Sequence, residues 1–160
     1  MYISKYWGNY IGDTDDSLNI IEYFADRKKE EISLGEIFSD FGIDKLNGDF
    51  KDTEEALMFS HSEGIEVVFY FAVDIIIDLA ALLLECKVNG SVRLSDLFEY
   101  IEQDCTVKIT GTPEEYELIN KALKDFIAAP GEYDLSEFTS EEDLSEMAEI
   151  CEELRKELFE

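Results

Sequence analysis

The sequence predicts an α+β fold: a single domain over residues 1–160, dominated by helices, with a small sheet that includes one β-hairpin. Apolar residues recur at helical spacing over several long segments, shorter segments alternate apolar and polar residues, and a glycine-containing turn separates two β-rich runs. The chain has 160 residues, of which 46% are apolar and 12% aromatic, so it can bury one sizeable core. This composition excludes a disordered acidic tail.

The first elements are predicted from one β-rich run and two amphipathic segments. Residues 2–7 mix Tyr, Ile and Trp, which is typical of an edge strand. A helix is predicted from a cap at Asp16 or Ser17 to about Lys29, because apolar residues repeat on one face and cations occupy its last turn. A short helix is predicted around 34–41, ending at the glycine that follows.

The middle of the chain predicts a hairpin and a buried helix. The runs ALMFSH and IEVVFYF flank Ser62-Glu63-Gly64, and a three-residue loop ending in glycine suits a hairpin turn. Residues 73–86 are apolar nearly all round, which indicates a central buried helix. Asp74 and Asp78 lie one turn apart on it, on a stripe that Glu85 continues. We interpret this stripe as the side of the helix that faces water or a partner.

Two segments share a sequence pattern. SVRLSDLFEYI at 91–101 repeats the pattern of EISLGEIFSDF at 31–41: a β-branched residue, then Leu, an acid, an aliphatic residue and Phe. The match spans about ten residues, so we interpret it as a shared strand-to-helix entry rather than a duplicated domain. Residues 105–110 alternate apolar and polar side chains and predict a half-buried strand.

The last third of the chain predicts two helices. Thr112, followed by Pro and then Glu at the third helical position, is a strong helix start. A second capping box, formed by Thr139 and Glu142, predicts the last helix, which runs to about Leu158. Five of its residues are expected to face the core: Leu144, Met147, Cys151, Leu154 and Leu158.

The charge balance restricts the classes of partner. Asp and Glu number 39 against 13 Lys and Arg, a formal net charge of −26. Nucleic acid and anionic membrane surfaces need clustered basic residues, so direct binding to either is not expected. A basic protein, a cation, or a site that normally holds nucleic acid remains attractive to such a chain. Solubility alone is the competing explanation for the acidity.

Residues for catalysis or metal binding are few. His61 is the one histidine, and no G-x-S-x-G motif accompanies it. No C-x-x-C motif occurs, and the acidic loop starting at Asp13 has Leu18 and Phe24 where a calcium loop requires Gly and Glu. We therefore expect no enzyme activity, no metal and no cofactor.

The cysteines and the first residues indicate a compartment. The three cysteines are widely spaced and odd in number, which suggests no disulfide framework. The N-terminal sequence has no basic region followed by an apolar one, so it does not resemble a signal peptide. A reducing cytoplasmic location is the expectation.

Two acidic clusters contain aromatic residues, Trp7 and Tyr10 in the first and Tyr133 and Phe138 in the second. The last helix also carries a row of glutamates on its predicted outer face. Aromatic anchors beside charges are the best candidates for binding hot spots, because the aromatic gains from desolvation while the charges fix orientation. Capping of the first helix by Asp16 is a competing use of that residue. The predicted partner-binding residues are Trp7, Tyr10, Asp13, Asp15 and Asp16 in the first cluster, and Tyr133, Asp134, Glu137, Glu141 and Glu142 in the second.

The segment WGNYIGDTDDSL at 7–18 resembles the opening of small bacterial immunity proteins of contact-dependent inhibition and related polymorphic toxin systems. The resemblance covers about the first thirty residues, together with size and acidity. It implies a cytosolic antidote that binds one cognate toxin domain, often a nuclease, and blocks its active site or substrate surface. A basic toxin and an acidic antidote are electrostatically complementary, which supports the same class of partner.

Two alternatives remain open at this point. A DNA mimic of the antirestriction type has similar size and charge and requires carboxylates spaced along an extended surface. A small enzyme using Asp74 and Asp78 requires a pocket beside that pair, where burial would raise the pKa of a carboxyl. A compact acidic patch would favour the antidote, and a continuous stripe would favour the mimic.

Overall fold

The chain forms an α+β fold, seen in a computed structural model that describes residues 1–53, 57–101 and 105–160. Helices predominate, as predicted, and the strands are short. The elements in chain order, with 3-10 helices written η, are η1 (Tyr2–Lys5), α1 (Asp15–Arg27), β1 (Glu31–Ser33), α2 (Leu34–Phe41), η2 (Ile43–Leu46), β2 (Met58–Ser60), β3 (Glu66–Val68), α3 (Ala72–Asn89), β4 (Val92–Arg93), α4 (Leu94–Leu97), β5 (Thr106–Thr110), α5 (Pro113–Ala128), η3 (Pro130–Glu132), η4 (Asp134–Phe138) and α6 (Glu141–Phe159).

A three-stranded sheet has β5 at its centre, with β1 parallel on one side and β4 antiparallel on the other. The buried residues Ile32 and Val92 pair with Ile109 and Val107 of β5. Helix α2 starts directly after β1, and α4 directly after β4. This confirms that the repeated pattern is a strand-to-helix entry used twice around one central strand.

The predicted hairpin is formed by β2 and β3, which pair antiparallel with Phe59 opposite Val67. Its turn closes through a hydrogen bond from the His61 amide to the Ile65 carbonyl, 2.8 Å long. Gly64 adopts a φ of 88° there, a conformation that other residues rarely tolerate. The buried rings of Tyr23, Phe41, Phe59 and Phe69 pack edge-on or tilted and fasten the hairpin to α1 and α2.

Helix α3 is the buried centre of the fold, as its apolar sequence predicts. Every residue from Ala72 to Glu85 is buried, and the helix packs against α1, α5, α6, η1 and β5. Even so, none of the helices in the described residues is long and apolar enough to cross a membrane.

The acidic stripe of α3 does not face water, so that part of the interpretation is wrong. Asp74, Asp78 and Glu85 are only 3%, 2% and 4% exposed. The N-terminal segment covers the stripe and supplies amide donors, from Gly12 to Asp78 and from Ile3 to Glu85, each at 3.0 Å.

Two N-terminal predictions are wrong. Residues 2–5 form the 3-10 helix η1 rather than a strand, because Ile3 and Tyr6, three positions apart, both point into the core. Helix α1 is capped by Thr14, not by Asp16 or Ser17. The Thr14 hydroxyl accepts from the Ser17 amide at 3.1 Å, and Ser17 completes a capping box.

The capping box of Thr112 and Glu115 at the start of α5 is confirmed. The predicted capping box of Thr139 and Glu142 is wrong. The neighbouring Ser140 caps α6, and its hydroxyl accepts a hydrogen bond from the Asp143 amide at 3.1 Å. The five residues of α6 expected in the core are all buried: Leu144, Met147, Cys151, Leu154 and Leu158.

Candidate partner-binding surface

The two acidic clusters predicted from the sequence lie next to each other. The Tyr10 hydroxyl lies 2.9 Å from Asp143 Oδ1 and 2.8 Å from Glu146 Oε2, so it donates its proton to a pair of carboxylates on α6. These hydrogen bonds raise the pKa of the phenol well above its usual value. The N-terminal loop is therefore held against the first two turns of the last helix.

We call the combined surface the acidic face. It is defined by six exposed carboxylates from the loop before α1, the first turn of α1, η4 and the start of α6: Asp13, Asp15, Glu137, Glu142, Asp143 and Glu146. Four of them, Asp13, Asp15, Glu137 and Glu142, belong to the predicted partner-binding residues. Glu141 is also exposed but lines a separate groove between α5 and α6.

Trp7 supports the loop that carries Asp13 and Asp15. Its half-buried ring lies over Gly12 so closely that a Cβ added there would be 2.2 Å from it, and its Nε1 donates to the Leu97 carbonyl at 3.3 Å. Gly12 also has a φ of 80°. The segment WGNYIG thus closes on itself and presents the two aspartates outward.

Three further predicted partner-binding residues have structural roles. Asp16 is 1% exposed and accepts hydrogen bonds from the amides of Tyr70 and Phe71 at the start of α3, at 2.8 and 2.9 Å. Tyr133 is buried with its ring edge-on to a core phenylalanine, and Asp134 accepts from the Thr53 amide at 3.0 Å. These contacts leave Asp16 and Tyr133 out of reach of a partner.

A pocket of about 430 Å³ opens beside the acidic face, between the starts of α1 and α3 and the segment preceding α6. Tyr70 and Phe138 stand at its mouth, 61% and 74% exposed, and the Phe138 ring lies 5.6 Å from that of Phe71. Asp15 and the buried Asp74 also line it. Sequence reasoning named Phe138 beside the second cluster but did not bring Tyr70 or Asp74 to the same place.

The two buried aspartates of α3 have different surroundings. Asp78 accepts from the Gly12 amide at 3.0 Å and the Ser17 hydroxyl at 2.5 Å, whereas within the described residues no hydrogen bond or ion pair reaches the Asp74 carboxyl. Burial is the main cause that raises the pKa of Asp74 to about 8, and repulsion from Asp78 and Asp16 adds to it. Burial likewise raises the pKa of Asp78 to about 7, against the lowering effect of its two hydrogen bonds.

This difference bears on the small-enzyme alternative. A pocket is present beside Asp74, but Asp78 does not line it. Both Asp78 carboxylate oxygens instead accept hydrogen bonds from Gly12 and Ser17. The two carboxyls therefore do not face one cavity, as two-carboxylate catalysis requires. Among the described residues, no group of three or more His, Cys, Asp and Glu side chains is arranged to hold a metal ion.

His61 fastens the hairpin to α1. Its Nε2 lies 3.3 Å from Asp26 Oδ1, and its Nδ1 accepts from the Glu63 amide at 3.2 Å. The neighbouring Ser62 hydroxyl donates to Asp26, not to His61, so the three residues do not form a nucleophile–base pair.

A comparison with protein families identifies the class of this chain. Searches of curated proteins and of solved structures found no match. The family model described as Immunity protein 68 matches residues 2–158 and thus spans the loop, α3 and α6, which together form the acidic face and its pocket. On this match, the chain belongs to the Immunity protein 68 family.

Proposed function

We propose that this chain binds and neutralises a cognate basic toxin domain of the nuclease class, by laying the acidic face over the toxin's active site or substrate surface. Membership of an immunity protein family implies an antitoxin role and a toxin partner. The main structural support for binding through the acidic face is the pair of hydrogen bonds from the Tyr10 hydroxyl to Asp143 and Glu146. This Tyr10 bridge joins two acidic segments into one exposed patch.

Electrostatics supports this choice of partner. A nuclease must neutralise phosphates and therefore carries a basic substrate surface, to which a chain of net charge −26 is complementary. Opposite charges raise association rates to ~10⁸–10⁹ M⁻¹s⁻¹ at low salt, against ~10⁵–10⁶ M⁻¹s⁻¹ without steering. Tyr70 and Phe138 at the edge of the face add exposed aromatic area, which is typical of binding hot spots.

The proposal places the protein in the cytoplasm, bound to protein rather than to nucleic acid or membrane, with no catalysis and no cofactor of its own. Cys86 and Cys151 are free thiols, as a reducing compartment allows. An antidote that works by coverage needs neither a nucleophile nor a metal.

The test is co-expression with the product of the reading frame directly upstream, where a toxin gene is expected. The double variant Asp13→Lys, Asp15→Lys should lose at least tenfold in affinity, ~1.4 kcal/mol, because both carboxylates are exposed on the face. Reversing Asp15 in the first turn of α1 should cost only ~0.3–1 kcal/mol of stability. Melting temperature and affinity are measured separately.

The matched control is Glu63→Lys, Glu66→Lys. It makes the same charge change at exposed positions of the hairpin, at the opposite end of α1. Affinity should stay within about twofold of the wild type at moderate salt. Equal losses in both variants would mean that only net charge matters. An upstream product that is not toxic, or is not neutralised, would overturn the proposal.

A DNA mimic is the second candidate, because α6 carries a row of exposed glutamates. Glu142, Glu146, Glu149 and Glu153 follow one side of the helix over about 16 Å. A mimic would depend on this whole row. The variant Glu149→Lys, Glu153→Lys therefore discriminates: it should abolish binding by a mimic and spare an antidote that uses the acidic face.

A further inference from the structure

One carboxylate of the core differs from the others. In the described residues, four acidic residues are buried as whole residues, with exposures of at most 4%: Asp16, Asp74, Asp78 and Glu85. Three of them accept two hydrogen bonds each, and Asp74 accepts none from these residues. Burying a carboxyl without a hydrogen-bond partner lowers the stability of the fold. We therefore look for a role of Asp74 in binding rather than in folding.

The charges around Asp74 strongly favour a cation. Every charged side chain that lines its pocket is acidic, namely Asp15, Asp16 and Asp74 itself. Asp13, Asp78 and Asp134 also contribute to the negative potential at the Asp74 carboxyl. A positive group entering the pocket would thus be attracted by the ionised carboxylates around it, and Asp74 lines the pocket with oxygens that accept no hydrogen bond from the described residues.

The walls favour a flat cation. The rings of Phe71 and Phe138 are tilted by 54° with centroids 5.6 Å apart, and Tyr70 stands exposed at the mouth. A guanidinium stacks on aromatic faces and forks onto a carboxylate, whereas an ammonium is a strongly hydrated point charge. The volume of about 430 Å³ is at the lower end for ligand pockets and suits one inserted side chain.

We infer that this pocket receives one arginine side chain of the toxin, whose guanidinium pairs with Asp74 beside the aromatic rings of Tyr70 and Phe138. The inference rests on the proposed function, because it names the anchor through which the toxin docks. It adds a buried, aromatic-walled contact to the exposed charges of the acidic face. Such desolvated centres typically supply most of the binding energy.

A proton accompanies this binding. The pKa of Asp74, about 8, leaves the carboxyl largely protonated at neutral pH, and a bound guanidinium favours the ionised form. The groups facing it are Asp13 and Asp16 from the first loop and α1, Asp78 from α3, Asp134 from η4 and Cys151 from α6, and none of them is basic. Affinity for the cation should therefore rise as pH increases from 6 to 8.5.

The experiment titrates the isotope-labelled full chain with Nα-acetyl-arginine amide at pH 8 and follows amide signals by NMR. Saturable shifts are expected at Tyr70, Phe71 and Phe138. Asp74→Asn should weaken this binding at least tenfold. Glu85→Gln, a buried carboxyl on the same helix outside the pocket, is the matched control and should bind the probe as the wild type does.

Three results would overturn the inference: no saturable shift, equal binding by Asp74→Asn, or equally tight binding of Nα-acetyl-lysine amide. Displacement of the probe by calcium at equal concentration would also overturn it, in favour of a metal site. The proposed function fails differently. If the upstream toxin is not neutralised but the arginine probe binds through Asp74, the proposed antidote function is wrong and the proposed arginine-binding pocket is still supported.

Discussion

The two ends of α1 use carboxylates in opposite ways. At the C-terminal end, Asp26 is surrounded by donors from His61, Ser62 and Arg27, and its side chain is 3% exposed. At the N-terminal end, Asp13 and Asp15 are exposed, and the nearby Asp74 is buried with no donor among the described residues. The carboxylate at the C-terminal end fastens elements of the fold to each other, whereas Asp13, Asp15 and Asp74 make no such side-chain contact among the described residues.

The largest effect is expected from Asp26→Ala, which breaks the fastened end. Removing this carboxylate deletes charge-assisted hydrogen bonds from the Ser62 amide, the Ser62 hydroxyl and the Arg27 guanidinium, at a cost of ~2–3 kcal/mol. Because its hydrogen bonds lower the pKa of Asp26, its contribution is present above the unfolded pKa and lost as pH falls. Urea unfolding at pH 7 and pH 3 measures both.

Toxin affinity should be unchanged in this variant at temperatures where it remains folded. A loss of affinity equal to that of the acidic-face variant would mean that the two ends of α1 do not divide these roles.

Asp74→Asn should have the next largest effect, in the opposite direction. The unfolded carboxyl ionises near pH 4 and the folded one near pH 8, so wild-type stability falls as pH rises through this window. The amide carries no charge to bury, and we expect a gain of at least ~1 kcal/mol at pH 8, roughly 2–4 °C in melting temperature. Thermal melts from pH 5 to 9 should show a flatter profile for the variant. An unchanged profile would mean that Asp74 is stabilised as an anion.

Tyr10→Phe should have a smaller effect that falls on binding more than on stability. It removes the hydroxyl that holds the loop to Asp143 and Glu146 and keeps the ring. We expect a toxin affinity three- to tenfold lower and a melting temperature within about 2 °C, because the face is no longer preorganised. Tyr100→Phe, at an 88% exposed tyrosine, is the control. A large drop in melting temperature would assign the bridge to folding instead.

His61→Ala should have the smallest effect. It removes one of several contacts that hold the hairpin to α1, and the His61 side chain is 25% exposed. We therefore expect a loss of less than ~1 kcal/mol in the free energy of unfolding. Neutralising activity should stay within a few-fold of the wild type, measured by survival on co-expression. Complete loss of activity in a folded protein would contradict the proposal that this chain performs no catalysis.

Much of the fold could be predicted because its signals are local. The hairpin, the buried α3, the capping box at Thr112 and the doubled strand-to-helix entry each depend on fewer than twenty neighbouring residues. The wrong predictions concern segments where contacts distant in sequence, or two nearly equal local preferences, decide the structure. The aromatic content of segment 2–7 favours a strand, whereas the three-residue spacing of Ile3 and Tyr6 matches the 3-10 helix that forms. Thr139 and Ser140 are adjacent and equally good caps, and only packing decides between them.

The candidate site was predictable in composition but not in arrangement. Proximity of acids and aromatics in sequence identified Asp13, Asp15 and Phe138, but also Asp16 and Tyr133, which the fold uses internally. The sequence predicts a solvent-exposed acidic stripe on α3, because no local pattern indicates that backbone amides from Ile3 and Gly12 cover it. The pocket brings together residues far apart in the chain, so no local pattern indicates it.

The Tyr10 bridge also has a consequence for timing. Its partners on α6 lie 133 and 136 positions later in the chain. A ribosome adds ~5–20 residues per second, so on the order of ten seconds pass between synthesis of the loop and of the carboxylates that complete the acidic face. A nascent chain therefore offers no finished antidote. Under the proposed function, neutralising a toxin within that delay would depend on molecules completed beforehand.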